Sequence, residues 1–139
     1  MKKSAVFFLG MTLLLTAVFQ RDEVTGIVTD TQTGLQWQDN MVVGPMNWNA
    51  AMAYCDRLVL DGTDWMLPGV EALETIVDST KDAPAVVDGF EHTVSKHYWS
   101  STVSQNENYR AKYVGFFDGN IGSHNKDYLG YVRCVRAKK

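Results

Sequence analysis

Beyond an apolar N-terminal run, hydrophobic positions fall into short periodic stretches separated by turn-forming residues. Val24 to Asp30 alternates Val, Ile and Val with Thr and Gly, and Leu35 to Gln38 carries Leu35 and Trp37 on one parity. Alternation of this kind marks half-buried strands, and Thr33-Gly34 supplies a turn, so the two segments predict an opening hairpin. From Asn47 the period changes. Trp48, Ala51, Met52, Cys55, Leu58 and Val59 recur at three- and four-residue spacing and so share one face of a helix, with Asn47 as its N-cap. The helix is expected to run to about Leu60, where Asp61-Gly62 ends it. Trp65-Met66-Leu67-Pro68 is expected to be extended, because proline restricts the residue before it. A second short helix, at about Val70 to Asp78, is expected to bury Leu73, Ile76 and Val77. Lys81 to Lys96 holds no sustained period, and with Pro84 and Gly89 it predicts a long ordered loop. Strands follow at Tyr98 to Thr102, Ala111 to Phe117 and Gly130 to Arg136, with a short one near Ile121 after the turn Asp118-Gly119-Asn120. Strands, two helices, a loop region and a run of strands form an α+β order.

Met1 to Gln20 stands apart as an export segment. Lys2 and Lys3 precede the uncharged run Ala5 to Phe19, the pattern of a secretory signal. A spanning helix needs roughly 20 apolar residues, and this run is shorter and includes Gly10, Thr12 and Thr16, which favours a removable signal. Ala17 suits the position before the cut, whereas Leu15 is bulky where a small residue is preferred. An uncleaved anchor is the alternative, and it is the one membrane attachment expected, since no cysteine follows the run to accept a lipid. Residues 21–139 then form a single domain of 119 residues, enough for one core. Without Lys2 and Lys3 the chain keeps 11 basic against 16 acidic residues, a net of -5, which disfavours nucleic acid as a partner. The expected compartment is the periplasm or the cell exterior. In an oxidising space Cys55 and Cys134 are best read as one structural disulfide, worth about 4 kcal/mol in the chain-entropy model. A reactive thiol pair or a metal site is the other reading, without a Cys-x-x-Cys or a nearby His to support it.

Six motifs in order carry a family resemblance. They are Thr33-Gly34-Leu35-x-Trp37, Trp48-x-x-Ala51 followed by Cys55, Asp64-Trp65-Met66-Leu67-Pro68, Tyr98-Trp99-Ser100-Ser101, Val114-x-Phe116 followed by Gly119, and Tyr131-Val132-Arg133-Cys134-Val135-Arg136. Over about residues 24–136 the chain resembles the bacterial DUF1566 domain, a family also named after the C-terminal domain of a Legionella collagen-like adhesin. The resemblance implies a C-type-lectin-like fold with small antiparallel sheets, two helices and a long loop region, its first helix tied to the last strand. That implication agrees with a Cys55–Cys134 disulfide. In the named adhesin the domain is associated with binding sulfated glycosaminoglycans. The wider fold also includes formylglycine-generating enzymes, calcium-dependent lectins and phage receptor-binding proteins, so fold alone does not assign function. One position departs: the family usually has Arg between Trp and Leu of the Trp-x-Leu-Pro motif, and Met66 stands here. A role carried by that arginine does not transfer.

The candidate chemistry is sparse. His92, His97 and His124 form no helix-face ligand pair and are expected as surface or loop residues, and no phosphate loop or His-Glu-x-x-His appears. Ser100-Ser101 lies in an expected strand without a nucleophile elbow. Asp61 with Asp64, and Asp118 with Asn120, suit ordinary turns better than a calcium site, and the calcium-lectin motifs Glu-Pro-Asn and Trp-Asn-Asp map onto no position. No catalytic residue, metal or cofactor is therefore expected. Trp37, Trp48, Trp65 and Trp99 read as core, whereas Tyr109, Tyr113 and Tyr128 are the aromatics expected to be exposed. Arg110, Lys112, Lys126, Arg133, Arg136, Lys138 and Lys139 concentrate positive charge in the C-terminal third. Either a solvated sheet edge or a basic face for an anionic polymer fits them. The candidate binding residues are Tyr109, Arg110, Lys112, Lys126 and Tyr128. The expectation is an exported, non-enzymatic binding module for a glycan, an anionic polysaccharide or a protein surface. A structural or assembly module of a cell-envelope complex is the alternative, and an enzyme of the formylglycine-generating type a distant third.

Overall fold

The computed structural model describes residues 18–138, so the expected export segment lies outside the described residues as far as residue 17. Two sheets and two helices make up the described chain, a mixed α+β architecture. The first sheet has the order β1 (Phe19–Asp22), β2 (Ile27–Asp30), β3 (Leu35–Gln38) and β9 (Val135–Ala137). The second has the order β4 (Val43–Met46), β8 (Gly130–Val132), β5 (His97–Val103), β6 (Arg110–Gly115) and β7 (Ile121–Asn125). Helices α1 (Trp48–Arg57) and α2 (Val70–Glu74) lie between β4 and β5 in the chain.

The opening hairpin forms as β2 and β3, with Trp37 opposite Val28 and Gly34 at φ +79° in the turn, a conformation glycine adopts without steric cost. Its first strand starts at Ile27 because residues 23–26 are consumed by a turn in which Asp22 accepts from the Val24 and Thr25 amides. Asn47 caps α1 as expected, its Oδ1 accepting from Ala50 N at 2.9 Å. The helix stops at Arg57 rather than near Leu60, and its buried face is Ala51 and Cys55, with Trp48 and Leu58 half-buried. Met52 and Val59, expected on that face, are exposed. Helix α2 is also shorter; Leu73 and Ile76 are buried as the pattern required, whereas Val77 is only half-buried.

Three differences concern the sheets. Strand β1 begins at Phe19, within the apolar run assigned to export, and Phe19 and Gln20 pair with Asp30 and Thr29. Strand β4 has no alternation to announce it, since Gly44 and Pro45 occupy its middle. The last expected strand, Gly130 to Arg136, is two: the chain leaves the second sheet after Val132 and enters the first at Val135. Its pairing makes one contact parallel, β5 with β8 at Tyr98–Tyr131, where only antiparallel pairing was expected.

Strand β5 is central, and consecutive residues on it feed opposite cores. Trp99 packs with Ile27, Cys55, Trp65, Leu67, Ala111 and Val132 on the α1 side. Tyr98 packs with Val28, Trp37, Leu73, Ile76, Val114 and Phe116 on the α2 side. The crossover between β8 and β9 carries Arg133 and Cys134, both buried. Cys134 is bonded to Cys55 of α1, a disulfide closing a 79-residue separation.

Candidate functional site

The register of β5, β6 and β7 assembles a stack of rings on one sheet face. Tyr113 lies opposite Gly122, and His124 opposite Ala111, so Tyr113 and His124 project to the same side, as does His97 opposite Gly115. Tyr113, expected to be exposed, is half-buried: it lies flat across Gly122, where a methyl group would collide with its ring and hydroxyl. The His97 ring stacks on Tyr113 at 3.8 Å between centroids, and His124 stacks on Tyr113 at 4.5 Å. The two imidazoles meet edge to edge, His97 Nδ1 to His124 Nε2 at 2.8 Å. Tyr128, from the turn before β8, closes over His124 at 3.7 Å, and the edge of Trp99 meets Tyr128 at 6.3 Å. The result is a layered sandwich: tyrosine on the sheet, a joined histidine pair, and a second tyrosine, Tyr128, that is 42% exposed.

Burial lowers the proton affinity of both imidazoles. Asp118 partly offsets this at His97 and Lys96 adds to it, while His97 and Arg110 add to it at His124. Both are therefore neutral at neutral pH, and one ring nitrogen must donate to the other. These histidines were expected as surface or loop residues, whereas both stand half-buried on strands. Sequence spacing carries no signal for the pair, because residues 97 and 124 meet only through the β5–β6–β7 register.

The five nominated residues gather at one end of the β6–β7 hairpin but not on one face. Lys126 N donates to Tyr109 O, which brings their backbones together. Arg110 and Lys112 project on the side of Ser123, away from the ring stack. The Arg110 guanidinium is held by Ser123 Oγ at 3.1 Å and Glu107 at 3.7 Å, and Tyr109 Oη donates to Glu107 at 2.6 Å. The Lys126 ammonium sits over the Trp48 ring at 4.3 Å, on the side that carries Tyr128. Among the described residues the Lys112 ammonium has no ion partner.

Arg133 and Arg136, counted toward a basic face from sequence, are not available to a ligand. Asp39, immediately after β3, is fully buried and accepts from Arg133 at 2.8 Å, from Arg21, and from the Glu91 and His92 amides at 2.8 and 3.1 Å. Arg133 also donates to Thr93 Oγ1 and His92 O and lies over Phe90 at 4.6 Å. Arg136 covers Trp65 at 4.3 Å and donates to Gln36. The network fastens the β8–β9 crossover to β3, β1 and the long loop. Ser100 is likewise internal, its Oγ donating to Lys112 O at 2.8 Å. The Asp118 carboxylate caps its own turn by accepting from Asn120 N at 3.0 Å. No group of three or more His, Cys, Asp or Glu among the described residues converges as a metal site would.

A separate apolar groove of about 560 Å³ runs beside α1, with Leu67 in its wall, Met52 and Met66 on its rim, and Asp56 at its edge. Met66, which stands where the resembling family usually has Arg, is 60% exposed there. No helix among the described residues is long and apolar enough to cross a membrane.

No curated protein matches the chain. The Lcl C-terminal domain family model matches residues 26–136. That span runs from the β1–β2 turn into β9 and contains both cysteines, the Asp39–Arg133 junction and the whole ring stack. The chain therefore belongs to the Lcl C-terminal domain family.

Proposed function

We propose that this protein is an exported, non-enzymatic binding module of C-type-lectin-like architecture that recognises a glycan, in particular an anionic polysaccharide, outside the cytoplasm. Membership of an adhesin-type domain family is the observation that carries the reading. The disulfide fits an oxidising compartment, and its link from α1 to the β8–β9 crossover fits the proposed architecture. Within the domain, the end of the β6–β7 hairpin combines what sugar recognition uses: an exposed tyrosine ring at Tyr128, a second at Tyr109, and cations at Lys112, Lys126 and Arg110. An aromatic face packs against the apolar side of a pyranose, and the cations meet sulfate or carboxylate groups. Catalysis is not part of the proposal, since formylglycine-type oxidase chemistry needs thiols and Cys55 and Cys134 are bonded to each other.

Retention on heparin and on a sulfated glycan, measured across a salt series, tests this reading. Retention should weaken with salt, because exposed charges are screened over about 8 Å at physiological ionic strength. It should be lost when Arg110, Lys112 and Lys126 are all changed to Glu. A glycan array run with calcium and with chelator then separates metal-dependent from metal-independent recognition. Equal retention of wild type and triple variant, or none for either, favours the second reading, an assembly module of an envelope complex. The groove beside α1, with Met52 and Met66 exposed, is the observation behind that second reading.

A further inference from the structure

The ring stack holds a feature that sugar stacking alone does not require: its middle layer is a pair of titratable rings bonded to each other. We propose that the His97–His124 pair is a two-step proton switch, keeping Tyr128 seated on the sheet until a second proton breaks the imidazole bond and frees the ring. The proposal rests on the reading of Tyr128 as part of the binding surface and adds its regulation.

Proton counting at the junction gives the steps. In the neutral pair one facing nitrogen carries hydrogen and the other offers its lone pair across 2.8 Å. A first proton adds to an outward nitrogen of the donor ring. The bridging N–H is then charge-assisted and stronger, and the cation lies between the faces of Tyr113 and Tyr128, where aromatic rings attract positive charge. The second proton has to take the acceptor lone pair itself. That removes the bond and sets two imidazolium rings against each other, with centroids 4.9 Å apart in a half-buried site.

The surrounding charges shape the second step. Lys96 before β5 and Arg110 on β6 oppose added positive charge, and Asp118 from the β6–β7 turn favours it at His97. The facing groups from β6 and the β7–β8 turn are the rings of Tyr113 and Tyr128, and Lys126 is engaged with Trp48. Relief comes most readily through Tyr128, which a turn carries, since Tyr113, His97 and His124 all stand on strands of the sheet, His124 on its edge strand β7. The two histidines titrate as a pair with two macroscopic steps rather than as independent groups.

Solution NMR of the oxidised chain between about pH 8 and pH 4, the interval spanning histidine titration, decides the proposal. The His97 and His124 ring protons should titrate in two separated steps, and the Tyr128 ring resonances should move only with the lower one. In His97→Gln, whose amide can donate or accept, His124 should titrate once and Tyr128 should stay in place. The indole resonances of the buried Trp37 and Trp65 report folding. Tyr128 resonances that stay constant in wild type, that move with the first step, that move identically in His97→Gln, or that move only together with both indoles would each overturn the switch. A second arm reads function through heparin retention at about pH 7.5 and pH 5, on either side of histidine titration. Added positive charge alone strengthens polyanion binding in acid, so the switch predicts that wild type loses retention on acidification relative to His97→Gln. Absence of wild-type retention at the higher pH counts against the glycan reading, whereas the Tyr128 titration still decides the switch.

Discussion

Trp65 shows how much one side chain does in a domain this small. Its indole is buried beside α1, its Nε1–H donates to Leu60 O at 3.1 Å, and Arg136 covers the ring. Trp65→Ala should cost about 3 to 5 kcal/mol, the range for removing a large buried aromatic, read as a shift of the denaturant midpoint. A loss under about 1 kcal/mol would mean the motif is not a core element. Asp39 is the polar counterpart. Asp39→Asn keeps the volume but puts an amide hydrogen toward donors and leaves Arg133 buried without its counter-charge. Breaking a buried pair in this way costs about 3 to 5 kcal/mol, again measurable by denaturant melts. Trp65 was legible as core from its extended, proline-flanked motif. Asp39 was not, because an aspartate after a strand looks like turn chemistry until the fold brings Arg133 to it across 94 positions.

At the scale of elements, the disulfide and the first strand yield the clearest expectations. The Cys55–Cys134 bond should appear as two cysteines protected from alkylation in native protein and two alkylated after reduction, by intact mass. Replacing both with Ser should lower stability by about 4 kcal/mol in the chain-entropy model. Strand β1 bears on processing: Val18 O accepts from Thr31 N, and Phe19 packs on Phe90 at 6.0 Å. Cleavage after Ala17 keeps that strand whole, whereas a cut after Gln20 removes half of it. On the proposed reading of an exported protein with a removable signal, its intact mass should therefore correspond to a chain starting at Val18. The first strand escaped the sequence reading because Phe19 is equally at home in an export run and in a sheet. The division of β8 from β9 escaped it because Arg133 and Cys134 are both buried, which erases the alternation that marks a strand with one wet face.

For the whole molecule, the histidine pair predicts the pH dependence of stability. The folded imidazoles hold protons less readily than the ordinary histidine value of about 6.5, so below that pH the unfolded chain binds more of them. Stability should be fully present above about pH 6.5 and be lost progressively as pH falls through the folded values. The loss should flatten in the double variant His97→Gln/His124→Gln, measured by urea melts at several pH values. The sequence by itself determined the α+β class, the opening hairpin, the capped helix, the burial of Trp37, Trp65 and Trp99 though not of the half-buried Trp48, and the family, because each rests on local periodicity, turn chemistry or ordered motifs. It also placed the candidate ligand residues near one hairpin end, since neighbours in a hairpin are neighbours in the chain. Only the tertiary structure decided which face each of them occupies, which arginines are spent inside the Asp39 junction, and that His97 and His124 share a bond. Those outcomes depend on strand register and on a crossover between two sheets, and such long-range pairing leaves no periodic trace in the segments it joins.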